Sequence, residues 1–217
     1  MAIEEGCKLF RSAAFQALVQ DNSPFALAKA IVAGREQTIF RHGAKTLAEV
    51  YRKASRSGQL PFLVTDESTL TVQDLFARAA AYQAEFAVRN IGTGARVVLA
   101  AEDDGDWIAA FVALTSIGAT AVLAAAPDQI GQAAAAGCVA IVADDIQPVG
   151  DLTRIGRSNE AAPESGPFFS EIDPEQEVCI AFTSGSSGSP KGVVLTHRAI
   201  TTGLMNMMLA GAAAARS

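Results

Sequence analysis

Residues 182–193 read Phe-Thr-Ser-Gly-Ser-Ser-Gly-Ser-Pro-Lys-Gly-Val, directly after an apolar run at 178–181. Glycine lets backbone N–H groups turn inward, and successive inward N–H groups form a concave anion site. Small hydroxyl side chains add donors without bulk, and a lysine adds a mobile positive charge. The loop at 182–193 is therefore predicted to bind phosphate groups. Its candidate ligand residues are Thr183, Ser184, Gly185, Ser186, Ser187, Gly188 and Lys191.

Two other interpretations of this loop are weaker. In the Walker pattern G-x-x-x-x-G-K-[ST] the lysine follows the second glycine, whereas here Ser189 and Pro190 separate Gly188 from Lys191, and Gly192 stands where a magnesium-binding hydroxyl is needed. This argues against an ordinary P-loop NTPase. A flexible Gly/Ser linker is the other alternative, but linkers rarely carry a Pro-Lys-Gly-Val-Val step into a strand.

Upstream of the loop, strand and helix patterns alternate. Strands are predicted at 96–101, 120–124 and 138–142, and helices at 106–117 and 129–136. This order indicates an α/β fold with a mostly parallel sheet and flanking helices. Ligands of such sheets bind beyond the carboxyl ends of the strands, where Phe182 and Thr183 are expected to lie.

The flanking segments carry fewer signals. We expect a helical N-terminal extension at 1–43, with one helix around Phe15 to Val19 and another at 26–32. Capping-box spacing predicts helix starts at Thr46 and Thr71, and residues 61–65 and 69–71 are predicted to be strands. The segment 144–177 is punctuated by prolines and is interpreted as an irregular connector.

Composition narrows the class of protein. Of the 217 residues, 50% are hydrophobic, and the net charge of -6 argues against nucleic acid as the main partner. The N-terminus lacks a signal-peptide pattern. Cys7, Cys138 and Cys179 are widely spaced and are interpreted as small residues in a reducing cytosol, so a cytoplasmic location is expected. The uncharged stretch 107–127 is interrupted by polar residues, which favours a buried helix, turn and strand over a membrane span.

Three other groups were weighed as candidate sites. The acidic run 102–106 could bind a metal, but its position favours a helix N-terminus. No ligand cluster surrounds His42 or His197, so no metal ligand is assigned. The three methionines at 205, 207 and 208 are interpreted as a core stripe, with the border of an acyl pocket as the weaker alternative.

The loop at 182–193 resembles the phosphate-binding loop of the adenylate-forming superfamily, which contains acyl-CoA synthetases, luciferases and peptide-synthetase adenylation domains. That loop reads [YF]-T-S-G-[ST]-[TS]-G-x-P-K-G-V, and every fixed position matches. The Thr-His-Arg step at 196–198 and the order of elements across 47–210 resemble the family as well. Two features differ from the family pattern. Ala95 stands where the family usually has an acidic residue, and the loop at 124–128 is shorter than the family's. The resemblance identifies 44–217 as part of an AMP-binding domain.

The resemblance implies ATP-dependent activation of a carboxylic acid to an acyl-adenylate, with Mg²⁺ as cofactor, and transfer to coenzyme A as thiol co-substrate. We favour an acyl-CoA synthetase for a fatty or aryl acid, because of Phe182 and the methionine-rich segment, over a peptide-synthetase adenylation domain. The family's magnesium glutamate, ribose aspartate and catalytic lysine are expected beyond Ser217, so no catalytic residue is assigned and little ligase activity is expected of this stretch alone. A non-catalytic nucleotide-binding or interaction remnant is the alternative.

Overall fold

The computed structural model describes residues 13–66, 68–124, 127–144, 152–156, 167–183 and 191–216. The described chain divides into two compact units. One comprises the described residues up to Lys45 together with those from His197 onward, and the other comprises Thr46–Thr196. The predicted division into an extension at 1–43 and a domain from residue 44 stays a prediction.

The unit Thr46–Thr196 is built on a six-stranded sheet with strand order β10-β9-β6-β5-β7-β8. In this order, each neighbouring pair among β9, β6, β5, β7 and β8 is parallel. The edge strand β10 pairs with β9 in the antiparallel sense. The predicted α/β class with a mostly parallel sheet is confirmed. The elements of this unit are α2 (Leu47–Ala54), β3 (Pro61–Val64), β4 (Thr69–Thr71), α3 (Val72–Val88), β5 (Arg96–Leu99), α4 (Asp104–Ser116), β6 (Thr120–Leu123), α5 (Pro127–Ala135), β7 (Ala140–Val142), β8 (Thr153–Ile155), β9 (Glu177–Thr183) and β10 (Lys191–Thr196).

The central strands form because their residues are apolar without interruption, as parallel strands covered on both faces require. Each side chain of β7 is buried, as are nearly all those of β5 and β6. A core cluster joins these strands to β9 and α5 through Val98, Val122, Ile130, Ile141 and Ile180. Burial of this kind stabilises the fold by about 25 cal/mol for each Å² of apolar surface removed from water.

Side-chain caps set the helix starts. Thr46 Oγ1 accepts a hydrogen bond from the Glu49 backbone N–H at 3.3 Å, which confirms the predicted start of α2. Thr71 and Asp74 form a reciprocal capping box at the start of α3. Hydrogen bonds within this box, the side-chain bond from Thr71 first, lower the pKa of the Asp74 carboxyl. Such caps satisfy N–H groups that the first helical turn leaves without partners.

The predicted connector at 144–177 contains a strand that its irregular sequence did not reveal. β8 pairs with β7 through only three residues, too few to show a period. Further along, α3 holds the backbone of Phe168 from both sides: Gln83 Nε2 donates to the Phe168 carbonyl at 2.8 Å, and the Phe168 N–H donates to Gln83 Oε1 at 2.7 Å. Phe169 packs edge-on against Phe76. The end of the connector is thereby fixed before it enters β9.

The other unit contains α1 (Ala13–Leu18), the hairpin strands β1 (Leu27–Val32) and β2 (Arg35–Phe40), and α6 (His197–Ala214). The predicted second helix at 26–32 is wrong, because this segment is β1. Ala33 and Gly34 have φ angles of 48° and 75°, and two positive φ values define the tight turn that brings two strands together as a hairpin. Leu18 packs against Leu209 and Ala213 of α6.

None of the helices within the described ranges is both long and apolar enough to cross a bilayer.

Candidate functional site

The described ends of the predicted phosphate loop face each other across the β9–β10 pair. Thr183, the last residue of β9, is the register partner of Lys191, the first residue of β10. The Thr183 hydroxyl donates a hydrogen bond to the Lys191 carbonyl at 3.3 Å. Both residues are exposed. The structure therefore holds Thr183 and Lys191, the residues on either side of 184–190 in the sequence, next to each other. We call this pair the neck.

Of the seven predicted ligand residues, the structure places two together at this neck, Thr183 and Lys191. The other five, Ser184, Gly185, Ser186, Ser187 and Gly188, lie outside the described residues. Their role in binding stays a prediction. The Lys191 side chain is exposed at the neck.

The neck is supported by close packing of its two strands. Gly192 lies opposite Phe182 in the register, and a Cβ atom at Gly192 would come within 3.1 Å of Ile180 Cγ2 and 3.7 Å of the Phe182 ring. Phe182 in turn packs against the core cluster of the sheet. An aromatic side chain thus covers a glycine on the neighbouring strand, and this fixes how closely β10 approaches β9.

The neck lies at the carboxyl edge of the parallel sheet, as predicted. β9 is parallel to β6, with Ala181 opposite Leu123, the last residue of β6. β9 then continues through Phe182 and Thr183, so the neck projects beyond the end of β6. Ligands of parallel α/β sheets bind outside this edge.

A second polar contact at this edge was not predicted. The chain passes from β5 to β6 on one side and then to β7 on the other, so the direction of winding reverses at β5. Asp144, just after β7, accepts a hydrogen bond from the Glu102 backbone N–H, just after β5, at 2.7 Å. Sequence reasoning assigned Asp144 to the connector, although an acid directly after a buried strand was the available signal.

The acidic run 102–106 forms the start of α4, as its interpretation as a helix N-terminus predicted. Asp103 Oδ1 accepts from the Asp106 N–H at 2.8 Å and caps the helix. Asp106 is buried, and Arg78 Nη1 of α3 donates to its Oδ1 at 3.0 Å. Within the described part of the chain, no group of three His, Cys, Asp or Glu residues is arranged to hold a metal ion. These carboxylates therefore cap the helix and join it to α3.

The histidine and cysteine side chains show the effects of burial. His197, the first residue of α6, is fully buried, and this lowers its pKa to about 4. Burial also raises the pKa of the Cys138 thiol to about 11 and raises that of Cys179. Both cysteines are free thiols, and with raised pKa values they are poor nucleophiles at neutral pH. Cys7 lies outside the described residues.

The interpretation of the methionines as a core stripe is wrong for two of them. Met207 and Met208 are 73% and 61% exposed. The buried residues of α6 include Thr201, Leu209 and Ala213 instead. They recur at multiples of four positions and therefore lie on one side of the helix.

The arrangement at the neck is suited to holding an anion rather than to acid–base chemistry. The antiparallel pair brings both ends of a glycine- and hydroxyl-rich segment together, with a lysine at one end and the edge of a parallel sheet below it. Backbone N–H groups, hydroxyl groups and a lysine are the donors that a polyanion requires.

Comparisons with known proteins agree with this fold and loop. A family model described as AMP-binding enzyme matches residues 50–216, and the chain belongs to this family of adenylate-forming enzymes. The structure of the Klebsiella oxytoca NpsA N-terminal subdomain in space group P21 superposes with a TM-score of 0.62 at 25% identity, covering 70% of this chain and 42% of that one.

Two curated relatives differ in type. Medium/long-chain-fatty-acid–CoA ligase FadD6 of Mycobacterium tuberculosis is 29% identical over 169 residues, which are 67% of this chain and 28% of that protein. Nonribosomal peptide synthetase aneB of Aspergillus aculeatus is 50% identical over 44 residues, which are 20% of this chain and 4% of that protein. The chain thus spans well under half the length of each of these relatives.

Proposed function

We propose that this chain supplies the phosphate-binding part of an enzyme that activates a carboxylic acid with ATP. The observation that supports the proposal is the neck between Thr183 and Lys191, at the carboxyl edge of a parallel sheet in a chain that belongs to the AMP-binding family. In the proposed reaction a carboxylate oxygen attacks the α-phosphorus of ATP. The bond from that phosphorus to the bridging oxygen breaks, and pyrophosphate leaves with the electron pair.

In this reaction the loop holds the β- and γ-phosphates, which become the pyrophosphate. The proposed ligands are Thr183, Ser184, Gly185, Ser186, Ser187, Gly188 and Lys191. The Lys191 ammonium stabilises negative charge that grows on the leaving pyrophosphate, which is electrostatic catalysis by a positioned group. In the described conformation Thr183 donates its one hydroxyl proton to the Lys191 carbonyl, so a phosphate oxygen would replace that carbonyl as the acceptor.

Mg²⁺ would neutralise charge on the phosphates of bound ATP. Among the described residues, no group of three His, Cys, Asp or Glu side chains is arranged to hold a metal ion. We assign no magnesium ligand to this chain and derive no step through the ion.

For the second half-reaction we propose transfer of the acyl group to the thiol of coenzyme A, with a fatty or aryl acid as substrate. Similarity to FadD6 over 67% of the chain supports this assignment. An adenylation domain of a peptide synthetase is the second candidate, supported by the 50% identity to aneB over 44 residues. We further propose a cytosolic location, which the free thiols of Cys138 and Cys179 support.

Calorimetric titration of the 217-residue chain with pyrophosphate and with ATP tests the phosphate role. We expect Lys191→Ala to weaken pyrophosphate binding about 10-fold or more, the effect of losing one charge-assisted hydrogen bond. Lys29→Ala is the matched control, because Lys29 is an exposed lysine of β1 with its own partner, Glu36. Equal affinities in Lys191→Ala and Lys29→Ala would contradict the proposal.

ATP–pyrophosphate exchange by the proposed enzyme, measured with fatty, aryl and amino acids in turn, distinguishes the two candidate functions. Exchange driven by fatty or aryl acids, followed by AMP release on addition of coenzyme A, supports the ligase. Exchange driven by amino acids alone supports the adenylation domain.

A further inference from the structure

A narrow groove lies within the smaller unit, between the segment 39–45 and one face of α6. The helix contributes Arg198, Thr201, Thr202 and Met205, which recur at intervals of three and four residues and therefore share one side. Gly43 lets the opposing segment come close, because a Cβ atom there would lie 3.5 Å from Met205 Cγ and 3.2 Å from Phe40 Cβ.

The charge of the groove contrasts with the acidic chain around it. Arg41 and Lys45 line one wall, and Arg198 lines the other. The described residues that line the groove include no carboxylate, although the whole chain has a net charge of -6. Arg41 pairs with Asp21 at 3.0 Å, outside the lining, and both side chains remain largely exposed. Three cations from two segments therefore converge on one concave surface.

The size of the groove restricts what can enter. Its cavity volume is 40 Å³, about three times the space that a single water molecule needs. This is enough for a small polyatomic group and too little for a nucleoside. The Thr201 hydroxyl donates to the Arg198 carbonyl at 3.3 Å, so its proton is already used. Thr202, half-buried beside it, carries a second hydroxyl on the groove wall.

We propose that this groove is a phosphate-binding site, separate from the loop at 182–193. A tetrahedral dianion is small and offers several acceptor oxygens, which suits the planar donor set of arginine and the point charge of lysine. The phosphate is either free orthophosphate or the terminal phosphate of a larger ligand whose remainder lies outside the groove. The proposal does not depend on the proposed function, since it involves no residue of the loop.

Amide NMR spectra of the 217-residue chain, titrated with inorganic phosphate against chloride at equal ionic strength, test the site. We expect saturable shifts at the amides of Gly43, Ala44 and Thr202. The double variant Lys45→Gln with Arg198→Gln should bind about 10-fold or more weakly. Arg35→Gln, which removes a cation of β2 outside the groove, should bind as tightly as the original chain.

Two further experiments make the result decisive. The titration is repeated in Lys191→Ala, where the groove shifts should persist even if loop binding is lost. Replacing orthophosphate by AMP distinguishes the sources: tighter binding of AMP indicates a carried phosphate, and equal or weaker binding indicates the free ion. The absence of saturable shifts at these amides in the original chain, or an unchanged affinity in the double variant, would overturn the proposal.

Discussion

The hydroxyl of Thr183 donates a hydrogen bond to the backbone carbonyl of Lys191, across the antiparallel pair where the phosphate loop departs and returns. One end of the loop is thus attached to the other by a side chain that sequence comparison alone treats as a phosphate contact. The same hydroxyl proton is the one that would be donated to phosphate in the proposed complex, so the hydroxyl serves one acceptor at a time.

Thr183→Val keeps the shape of the side chain and removes its hydroxyl. We expect pyrophosphate binding to weaken about 2- to 10-fold, the value of one neutral hydrogen bond. Thr183→Ser retains the hydroxyl and should bind like the original chain. Calorimetric titration measures both. If valine and serine bind equally well, the hydroxyl does not contribute to pyrophosphate binding.

Arg78→Ala removes the charge partner of buried Asp106. We expect the free energy of unfolding to fall by about 2–4 kcal/mol, because the buried Asp106 carboxylate loses its ion pair with Arg78. The partial exposure of Arg78 keeps this loss below that of a fully buried pair. Arg89→Ala is the control, since its partner Glu85, one helical turn away, is partly exposed whereas Asp106 is buried; it should cost about 0.3–0.5 kcal/mol. Urea unfolding measures both, and similar losses in the two variants would contradict the buried-pair argument.

His197 makes stability depend on pH. Burial lowers its folded-state pKa from 6.5 to about 4, so between these values the unfolded chain binds a proton that the folded chain does not. The stabilising contribution is therefore complete above pH 6.5 and is lost as the pH falls towards 4, with a slope of up to about 1.4 kcal/mol per pH unit.

Replacing the histidine tests this slope. We expect His197→Asn to flatten the loss of stability in that pH window, measured by urea unfolding at a series of pH values. His42→Asn removes an exposed histidine and should leave the slope unchanged. A slope that is the same in His197→Asn as in the original chain would show that this residue is not the cause.

Alanine substitutions at two glycines with positive φ can separate the energetic cost of backbone strain from the cost of steric crowding. Gly118 has φ 79° and Gly94 has φ 81°. A Cβ atom at Gly118 would lie 3.0 Å from Thr93 Oγ1 and 3.1 Å from Gln176 Nε2, whereas nothing lies within 4 Å at Gly94. We expect Gly94→Ala to cost about 1 kcal/mol in unfolding free energy and Gly118→Ala about 2–4 kcal/mol. Thermal or urea unfolding measures the loss of stability in each variant. Equal losses in Gly94→Ala and Gly118→Ala would contradict the crowding at Gly118.

The parts of the fold that were predicted correctly have local signals. The strands around Val98, Val122 and Ile141 are uninterrupted apolar runs, and the helix starts at Thr46 and Thr71 carry caps within three residues. The loop at 182–193 is itself a contiguous pattern. Such features depend on neighbours in the chain, so the sequence shows them directly.

The errors arose where a distant partner determines the outcome. Residues 27–32 form a strand because β2 pairs with them, and three residues at 153–155 form a strand only because β7 is adjacent. Met207 and Met208 are apolar residues of α6, yet the opposite side of this helix is the one that packs against α1. A helix period shows that one face is apolar, but which face finds a partner depends on the rest of the molecule.

The residues alone predicted an α/β fold of the adenylate-forming family, and they predict a phosphate loop at the end of its parallel sheet, because glycine, hydroxyl and lysine positions in one short run are a local pattern. Folding determined that Thr183 closes the neck on Lys191, that Asp144 joins the ends of β5 and β7, and that Arg41, Lys45 and Arg198 converge on one groove. These arrangements bring together residues up to 157 positions apart, and their geometry depends on the packing of whole elements rather than on any short segment.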